Sequence, residues 1–209
     1  MKGRKAGMTT RNAEKEAQRR GQIVQAAFDV IAQKGYNSFT IEDIANRAGL
    51  SKGGVLHYFK SKEDILIFLL ERIYGVIEEN IARRSGKFKS CEKKLKAILI
   101  AFIVTAKKHP SVYTVMVDFW AQIPVSGRIG ALNSKIYGIM CDAVRGVIAQ
   151  GVEQDEFRAV NPSHAAFMVV AMMMNVAIQW TFNRSIYNID QLTRSILSMV
   201  MAYLKKRQP

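Results

Sequence analysis

Apolar residues recur every three or four positions through most of the chain, the spacing that places them on one face of a helix. No run of alternating β-branched residues supports a sheet, and no internal repeat is visible. The pattern therefore predicts an all-α fold of about nine helices, two of them very short. We expect the seven longer helices at about residues 16–34, 62–84, 91–108, 111–123, 128–151, 162–183 and 189–206. Asn161 before Pro162, and Asn188, predict capped starts for the last two.

The two short helices lie between Thr40 and Ser61, and Gly49 separates them. Thr40 followed by Asp43 predicts an N-cap with an acidic partner three residues on, and Ser51 is placed to cap the second helix. Two brief helices joined by a tight glycine turn make a helix-turn-helix, whose second helix can enter the major groove of DNA. This segment is therefore predicted to be a DNA-binding head.

The second short helix carries side chains that suit contacts with DNA. Lys52 lies at its start and can reach a phosphate or a guanine edge, whereas His57 suits a base edge or a thymine methyl group. Tyr58 can donate a hydrogen bond to a phosphate oxygen. Gly53 and Gly54 lack side chains, so the backbone can approach the groove wall closely.

Packing competes with DNA contact for several residues of this helix. Val55, Leu56 and Phe59 are expected to pack among the three helices of the head rather than to touch DNA. A structural role is also open for Tyr58, and His57 has the alternative of a partly buried spacer. The motif therefore predicts DNA binding, while the base contacts of single residues stay open.

Three stretches of the head resemble the tetracycline-repressor (TetR) family of regulators. Residues 51–63, Ser-Lys-Gly-Gly-Val-Leu-His-Tyr-Phe-Lys-Ser-Lys-Glu, are similar to its reading helix and the start of the helix that follows. Residues 40–49, Thr-Ile-Glu-Asp-Ile-Ala-Asn-Arg-Ala-Gly, are similar to its supporting helix, and residues 23–36 to its first helix. The resemblance covers residues 18–70.

The resemblance implies roles for further residues and for the rest of the chain. Thr40 and Lys62, at the N-termini of the flanking helices, are implied to bind backbone phosphate, where free N–H groups favour an anion. An inducer cavity in the remaining domain and a symmetric dimer on palindromic DNA are implied as well. The candidate DNA-binding residues are thus Thr40, Ser51, Lys52, Gly53, Gly54, His57, Tyr58 and Lys62.

Charge along the chain supports a polyanionic partner. The 209 residues carry a formal net charge of +14, and residues 1–62 hold 12 Lys and Arg against 5 Asp and Glu. A basic surface of this kind attracts nucleic acid. The expected domains are a basic mobile arm at residues 1–15, a helix-turn-helix DNA-binding domain at 16–62, and a ligand-binding and dimerisation domain at 63–209.

A second basic stretch runs from Arg83 to Lys108, with 9 Lys and Arg against 1 acidic residue. A solvated helical face is one interpretation, because most charge runs lie in solvent. Secondary contact with DNA phosphates is the other interpretation, and the pattern leaves both open.

The last two predicted helices are unusually apolar. Residues 165–178 are apolar nearly all round, with only Asn175 interrupting, and such a helix must be buried on every side. The final helix adds a broad apolar stripe. A monomeric core is one way to bury these surfaces. The resemblance implies the other, a homodimer in which the helices at about 162–183 and 189–206 pair with their copies in a four-helix bundle.

Two side-chain stripes in the larger domain are candidates for a ligand pocket. The candidate residues are Tyr113, Met116, Asp118 and Trp120 on one helix and Met168, Met172, Asn175 and Gln179 on another. Methionines suit an adaptable pocket, and aromatics near a carboxylate suit a lipophilic or quaternary ammonium cation. Stripes at helical spacing also form ordinary cores, so a packing role stays open. The turn at residues 151–158 is similar in layout to the choline-responsive betaine-regulator branch of the family.

Other classes of protein find no support in the sequence. Cys91 and Cys141 lie far apart without paired spacing, so no disulfide, metal site or cofactor is expected. The three histidines are scattered and no catalytic motif occurs, which predicts a protein that is not an enzyme. The N-terminus lacks an apolar stretch, and the longest apolar run, at residues 165–174, is too short to span a bilayer. We therefore expect a cytoplasmic protein without a membrane segment.

The sequence thus predicts a dimeric, sequence-specific transcriptional regulator that binds double-stranded DNA at a palindromic operator. Repression released by a small lipophilic or cationic inducer, of unknown identity, is the expected mechanism. The alternative is a ligand-independent architectural DNA-binding dimer, in which the larger domain serves only assembly.

Overall fold

The computed structural model describes residues 3–185 and 187–206, with side chains described from residue 14 onward. In these residues the chain forms helices and no strand, which confirms the predicted all-α fold. The nine described helices are α1 Gly3–Lys34, α2 Ile41–Ala48, α3 Lys52–Tyr58, α4 Lys62–Ser85, α5 Cys91–Lys108, α6 Pro110–Gln122, α7 Gly127–Glu153, α8 Pro162–Phe182 and α9 Ile189–Leu204.

Helix α1 begins at Gly3, well before the start that the apolar periodicity predicts. Residues 3–15 contain no proline, and alanine, glutamate and lysine, which favour helices, lead into the apolar part of α1. The arm expected at residues 1–15 is therefore helical from Gly3 onward, and its mobility stays a prediction. The first two residues lie outside the described part of the chain.

The chain forms two compact units, Met1–Arg72 and Ile73–Pro209. The division falls inside α4, whereas the sequence places a boundary after residue 62, at the start of that helix. Leu66 and Leu70, in the first turns of α4, are fully buried and belong to the first unit.

The apolar faces of three helices build the core of the first unit. Ile23 and Ile31 of α1, Ile44 of α2 and Val55 of α3 are each 0% exposed. Helix α1 packs on α2, and α2 packs on α3. This core fixes the direction in which α3 presents its polar face.

Helices α5, α7 and α8 form the centre of the second unit, each packing against the other two. Helix α6 packs on all three, and α9 packs on α5. Leu95, Phe119, Val144 and Val170 are fully buried in this core.

The turn after α7 ties three helices of the second unit together. Phe157 is buried with its ring against Gly151, where a Cβ atom would lie well inside van der Waals contact of that ring. The Glu156 carboxylate accepts hydrogen bonds of 3.1 and 3.2 Å from two backbone N–H groups at the start of α5. The Arg158 N–H donates to the Leu204 carbonyl of α9 at 2.8 Å. The turn therefore connects α5, α7 and α9.

The composition of α8 predicts burial on every side, and a single chain buries only one of its faces. The uninterrupted apolar run at residues 165–174 is too short to span a bilayer, but the whole helix is long and apolar enough to cross one. Of its most apolar 18-residue stretch, 44% is buried inside the chain. Phe167, Met168 and Phe182 are 58%, 49% and 57% exposed. One face packs in the second unit, and the other carries large apolar side chains in solvent.

Candidate DNA-binding site and ligand cavity

Thr40 and Asp43 form a capping box at the start of α2. The Asp43 N–H donates to Thr40 Oγ1 at 3.1 Å, and the Thr40 N–H donates to Asp43 Oδ2 at 2.8 Å. Lys34 donates to Asp43 Oδ1 at 2.7 Å. Lys34, and after it Thr40, lower the pKa of Asp43 to about 2. Because the Thr40 N–H is occupied, its hydroxyl proton is the group left to donate to a phosphate.

Gly49 makes the turn between α2 and α3 in the left-handed conformation, with φ of 64°. The Leu50 N–H donates to the Ala45 carbonyl at 2.9 Å, the long-range bond of a Schellman turn. Ser51 then caps α3 by accepting a hydrogen bond from the Gly54 N–H at 3.0 Å. These local bonds set the turn that leads into α3.

Helix α3 has one buried and one exposed face. Val55 and Phe59 are 0% and 3% exposed, which confirms their expected packing role, and Leu56 is half-buried. Lys52 and His57 are exposed. The exposed face therefore offers an ammonium group and an imidazole to a partner.

Tyr58 lies half-buried beside His57, and the two rings meet edge to face with centroids 5.0 Å apart. Gly53 is exposed, and a Cβ atom there would meet only Ser51 Oγ, at 4.0 Å. A Cβ atom at Gly54 would lie 3.3 Å from Ser51 Oγ, so a side chain there would press on the cap. Of the two glycines, Gly53 is the one that leaves room for a close approach of DNA.

Lys62 is held at the first residue of α4. Its ammonium group lies 4.6 Å from the centre of the Phe39 ring, a cation–π contact. Ser61 caps the helix by accepting from the Asp64 N–H at 3.0 Å. The cation is thus oriented at a helix N-terminus, an arrangement that favours a bound anion.

A notch of about 670 Å³ between α1 and α3 is a feature that sequence reasoning missed. Its lining residues are Lys15, Glu16, Gln18, Arg19, Gln22, His57 and Tyr58. Glu16 pairs with Arg20 at 3.4 Å, which offsets the notch's one acidic side chain. Lys15 and Arg19, one turn apart on α1, were visible in the sequence as a basic face, but their place beside α3 comes from the packing of α1.

Arg19 is oriented by a chain of hydrogen bonds. Its Nη1 donates to Gln22 Oε1 at 2.8 Å, and Gln22 Nε2 donates to the Ala48 carbonyl at 2.7 Å. The second bond joins α1 to the end of α2. The guanidinium therefore lies at the edge of the notch in a fixed relation to the helix-turn-helix.

Two of the predicted pocket residues lie together in the interior of the second unit. Tyr113 and Met116 are each 1% exposed and line a cavity of about 10 Å³. Tyr74, Phe102 and Met174 are also in its lining. The Tyr113 hydroxyl donates to the Phe102 carbonyl at 3.1 Å, and burial raises the pKa of Tyr113. The cavity is apolar and has room for no more than about one water molecule.

The other candidates on α6, Asp118 and Trp120, are half-buried and do not line this cavity. The stripe predicted on α8 lies elsewhere too. Met168, Asn175 and Gln179 are exposed and Met172 is half-buried, with Gln179 Nε2 donating to Asn175 Oδ1 at 3.4 Å. Met173 and Met174 occupy the inward face of α8 instead. The expected eight-residue pocket is therefore not assembled.

A groove of about 310 Å³ between α4 and α7 adjoins the cavity, and we call it the acidic groove. Tyr74, Ile77 and Met140 line both the groove and the cavity. Glu78 and Asp142 are the acidic residues of its lining. Movement of the shared side chains would join the two spaces.

The cysteines offer no further chemistry in the part of the chain that the structure describes. Cys91 is buried and Cys141 half-buried, and both are free thiols. No group of three His, Cys, Asp or Glu side chains among the described residues has an arrangement suited to a metal ion.

A capped helix-turn-helix beside a basic notch, with a separate helical unit that contains a cavity, defines a DNA-binding regulator. Residues 23–67 match the model of the bacterial regulatory proteins of the tetR family, and residues 92–205 match that of the C-terminal domain of BetI-type transcriptional repressors. The chain belongs to the TetR family, with a C-terminal domain of the BetI type. It is a transcriptional regulator that binds operator DNA as a dimer, and not an enzyme.

Relatives and solved structures extend this likeness over most of the chain. The fatty acid metabolism regulator of Bacillus subtilis is 25% identical over 185 residues, covering 87% of this chain and 93% of the relative. The regulator BetI of Cronobacter sakazakii is 32% identical over 122 residues, or 56% of this chain and 60% of BetI.

Two crystal structures share the fold. The regulator FadR of Bacillus subtilis, solved with stearoyl-CoA, aligns with a TM-score of 0.78 and 24% identity over 87% of this chain and 97% of its own. A putative regulator of Saccharomonospora viridis, solved with choline, aligns with a TM-score of 0.83 and 20% identity over 91% of this chain and 100% of its own.

Proposed function

We propose that the protein is a cytoplasmic repressor whose dimer holds a palindromic operator and releases it when a small ligand binds the second unit. The observation that carries the DNA-binding part is the head itself: its two short helices are capped at every start, and α3 presents Lys52 and His57 to solvent. A helix presented in this way fits the major groove.

Within this proposal the head contacts divide by chemistry. Lys52 and His57 read base edges, and Gly53 allows the backbone to come close. Thr40, through its hydroxyl, and Lys62, through its oriented ammonium group, hold phosphates on either side. The remaining candidates take supporting roles: Ser51 and Gly54 hold the cap of α3, and Tyr58 donates to a phosphate from the notch.

The exposed apolar face of α8 and α9 supports a dimer through these two helices. Phe167 and Phe182 of α8 and Met199 and Tyr203 of α9 are between 39% and 58% exposed. Large apolar side chains exposed to solvent in this number favour an interaction site. Pairing with the same face of a second copy buries it, and a two-fold dimer matches the symmetry of a palindrome.

The interior cavity and the acidic groove support a ligand with an apolar body. Met116, Met140 and Met174 can change rotamer at low cost, which would enlarge the cavity toward the groove. Glu78 at the groove would favour a cationic head, whereas Asp142 already pairs with Arg145 at 3.0 Å. Since the solved relatives contain stearoyl-CoA in one case and choline in another, the fold alone does not decide the ligand.

A ligand-independent architectural dimer is the second candidate, and the small interior supports it. A cavity of about 10 Å³ holds no ligand without rearrangement. The neighbouring groove of about 310 Å³ and the three methionines favour the ligand-responsive protein.

The two candidates are separated by titrating a fluorescent operator complex with choline and with stearoyl-CoA and following polarisation. A ligand-responsive repressor releases the DNA with one compound, and Met140→Trp, which fills the wall shared by cavity and groove, prevents that release while operator affinity is retained. Full retention of DNA with both compounds and with a wider panel of lipophilic cations would favour the architectural dimer.

A further inference from the structure

The basic stretch from Arg83 to Lys108 surrounds a surface groove that the functions above do not use. The groove has a volume of about 400 Å³ and lies between the end of α4 and one face of α5. Its apolar lining consists of Phe88, Ala97 and Ile100, of which Phe88 and Ile100 are 38% and 39% exposed. We call it the basic groove, since the rest of its lining is cationic: Arg84, Lys87, Lys93 and Lys96.

Three of these four cations are uncommitted. Lys96 pairs with Glu92, with Nζ and Oε1 2.6 Å apart, and Lys205 pairs with Glu92 Oε2 at 3.3 Å. The charge of Glu92, the acidic residue of the basic stretch, is therefore neutralised. Within the described residues, the side chains of Arg84, Lys87 and Lys93 have no hydrogen bond or ion pair. Arg84 is also half-buried, and a partly desolvated guanidinium without an anion is unfavourable.

The wall of the basic groove is held in place before any ligand arrives. The Phe88 N–H donates to the Ser85 carbonyl at 3.1 Å, which closes the turn after α4. Ser90 donates to the Glu156 carboxylate at 2.9 Å, and that carboxylate also caps the start of α5. A preorganised wall lowers the entropy lost on binding.

We propose that the basic groove binds a small amphiphilic anion, a molecule with an apolar body and a phosphate or carboxylate head. The body covers Phe88 and Ile100, and the head lies against the Arg84 guanidinium and the ammonium groups of Lys87 and Lys93. The guanidinium suits such a head because it can donate two parallel hydrogen bonds to one phosphate or carboxylate. The neighbouring ammonium groups add positive charge beside it.

The composition of the lining separates this ligand from other anionic partners. Phosphodiester contacts of DNA use cations and hydrogen-bond donors and need no apolar floor. An anionic membrane engages apolar side chains that protrude from a surface, whereas Phe88 and Ile100 line a concavity. No lining residue is shared with the acidic groove or the interior cavity, so this site is additional to that of the proposed inducer.

The test is calorimetric titration of the full-length protein with three ten-carbon amphiphiles, each below its micelle concentration: decyl phosphate, decyl maltoside and decyltrimethylammonium. We expect decyl phosphate to bind about tenfold more tightly than decyl maltoside. Decyltrimethylammonium, whose cationic head suits the acidic groove, should bind equally well to the unchanged protein and to Arg84→Ala. Arg84→Ala and Lys93→Ala should each weaken decyl phosphate about five- to tenfold, and Phe88→Ala should weaken decyl phosphate and decyl maltoside alike. Lys135→Ala removes an exposed cation of the same unit and should leave the affinity for all three amphiphiles unchanged.

Several results would overturn the assignment. Equal affinity for the phosphate and the maltoside would remove the role of the cations. In another outcome, decyl phosphate still binds the double variant Arg84→Ala with Lys93→Ala and fails to bind Met140→Trp. This result would place the amphiphile in the interior cavity. Weaker operator binding by Arg84→Ala without amphiphile would make the groove a DNA contact. Binding to phosphatidylglycerol vesicles alone, with none to monomeric decyl phosphate, would make it a membrane contact.

Discussion

The two compact units organise their functional residues at different distances along the chain. In the first unit the helix-turn-helix contacts lie between Thr40 and Lys62. Caps a few residues away hold the helix starts that carry them, and Phe39 contacts the Lys62 ammonium group. In the second unit the cavity joins α4, α5, α6, α7 and α8, and the turn at Phe157 fixes helices far apart in sequence. DNA recognition is therefore specified locally, whereas ligand recognition depends on tertiary packing, and one can change without the other.

The largest expected effect concerns the exposed apolar face of α8 and α9, which we propose as the dimer interface. Phe167→Asp combined with Met199→Asp places charges in the proposed dimer interface and should convert the dimer to monomer. Operator affinity should then fall by about 100-fold or more, because the two heads no longer bind as one. Sedimentation equilibrium and polarisation measure the two effects.

Val125→Asp is the matched control, since Val125 is 77% exposed outside this face. It should leave both the dimer and operator binding intact. A double variant that remains dimeric would contradict the assignment of α8 and α9 to the interface.

The next effect tests whether the second unit depends on a long-range packing contact. Gly151→Ala drives a methyl group into the Phe157 ring and should destabilise the second unit by about 2 to 3 kcal/mol. Both tryptophans, Trp120 and Trp180, lie in that unit, so their fluorescence during denaturation reports its unfolding.

Gly138→Ala provides the comparison, because nothing lies within 4 Å of a Cβ atom there. In a helix interior this change should stabilise by about 0.5 to 1 kcal/mol. Equal free energies of unfolding for Gly151→Ala and Gly138→Ala would show that Phe157 moves aside freely and that the turn does not stabilise the second unit.

A smaller effect is expected at the notch of the first unit. Arg19→Ala should weaken operator binding about tenfold across all sequences, because it removes a guanidinium positioned to bind a phosphate. Gln22→Ala should weaken operator binding about threefold, because it removes the hydrogen bond that orients Arg19. Lys62→Ala is the reference for a simple phosphate contact and should lower the salt slope by about one unit. Lys135→Ala, in the second unit, controls for net charge.

Polarisation at several salt concentrations measures these variants. If Gln22→Ala lowers affinity as much as Arg19→Ala and also lowers thermal stability, the pair supports the packing of α1 on α2 and does not contact DNA.

The smallest effect concerns the capping box of α2 and depends on pH. The pKa of Asp43 is about 2 in the folded head, against an ordinary value of 3.8, so its ionised form stabilises the fold above pH 3.8. That stability is lost as the pH falls from 3.8 toward 2. Amide hydrogen exchange in α2 should therefore accelerate over this interval, and less so in Asp43→Asn. An identical pH dependence in both proteins would show that the box contributes nothing to the head.

The sequence predicts much of the head because helix caps are local. Thr40 and Ser51 each accept the hydrogen bond expected of an N-cap, and Asn161 and Asn188 do the same in the second unit. The burial of Val55 and Phe59 also follows from their spacing. These features need no knowledge of what packs against them.

The ligand cavity was not predictable in the same way. Nearly every position of α8 is apolar, so periodicity does not identify its inward face. The methionine-containing stripe of Met168, Met172, Asn175 and Gln179 is predicted to line a pocket, but the packing of α8 against α5 and α7 turns Met173 and Met174 inward instead. The notch at Arg19 was missed for a related reason, since only the packing of α1 brings it beside α3.

In the proposed mechanism, α3 reads a defined operator while the two heads of the dimer act together. The most direct measurement is selection of bound DNA from a random pool by the purified protein at a fixed physiological salt concentration. We expect an enriched palindrome with two half-sites about one helical turn apart or more. Tight binding with no enriched sequence would contradict it and would make the protein a non-specific DNA-binding dimer.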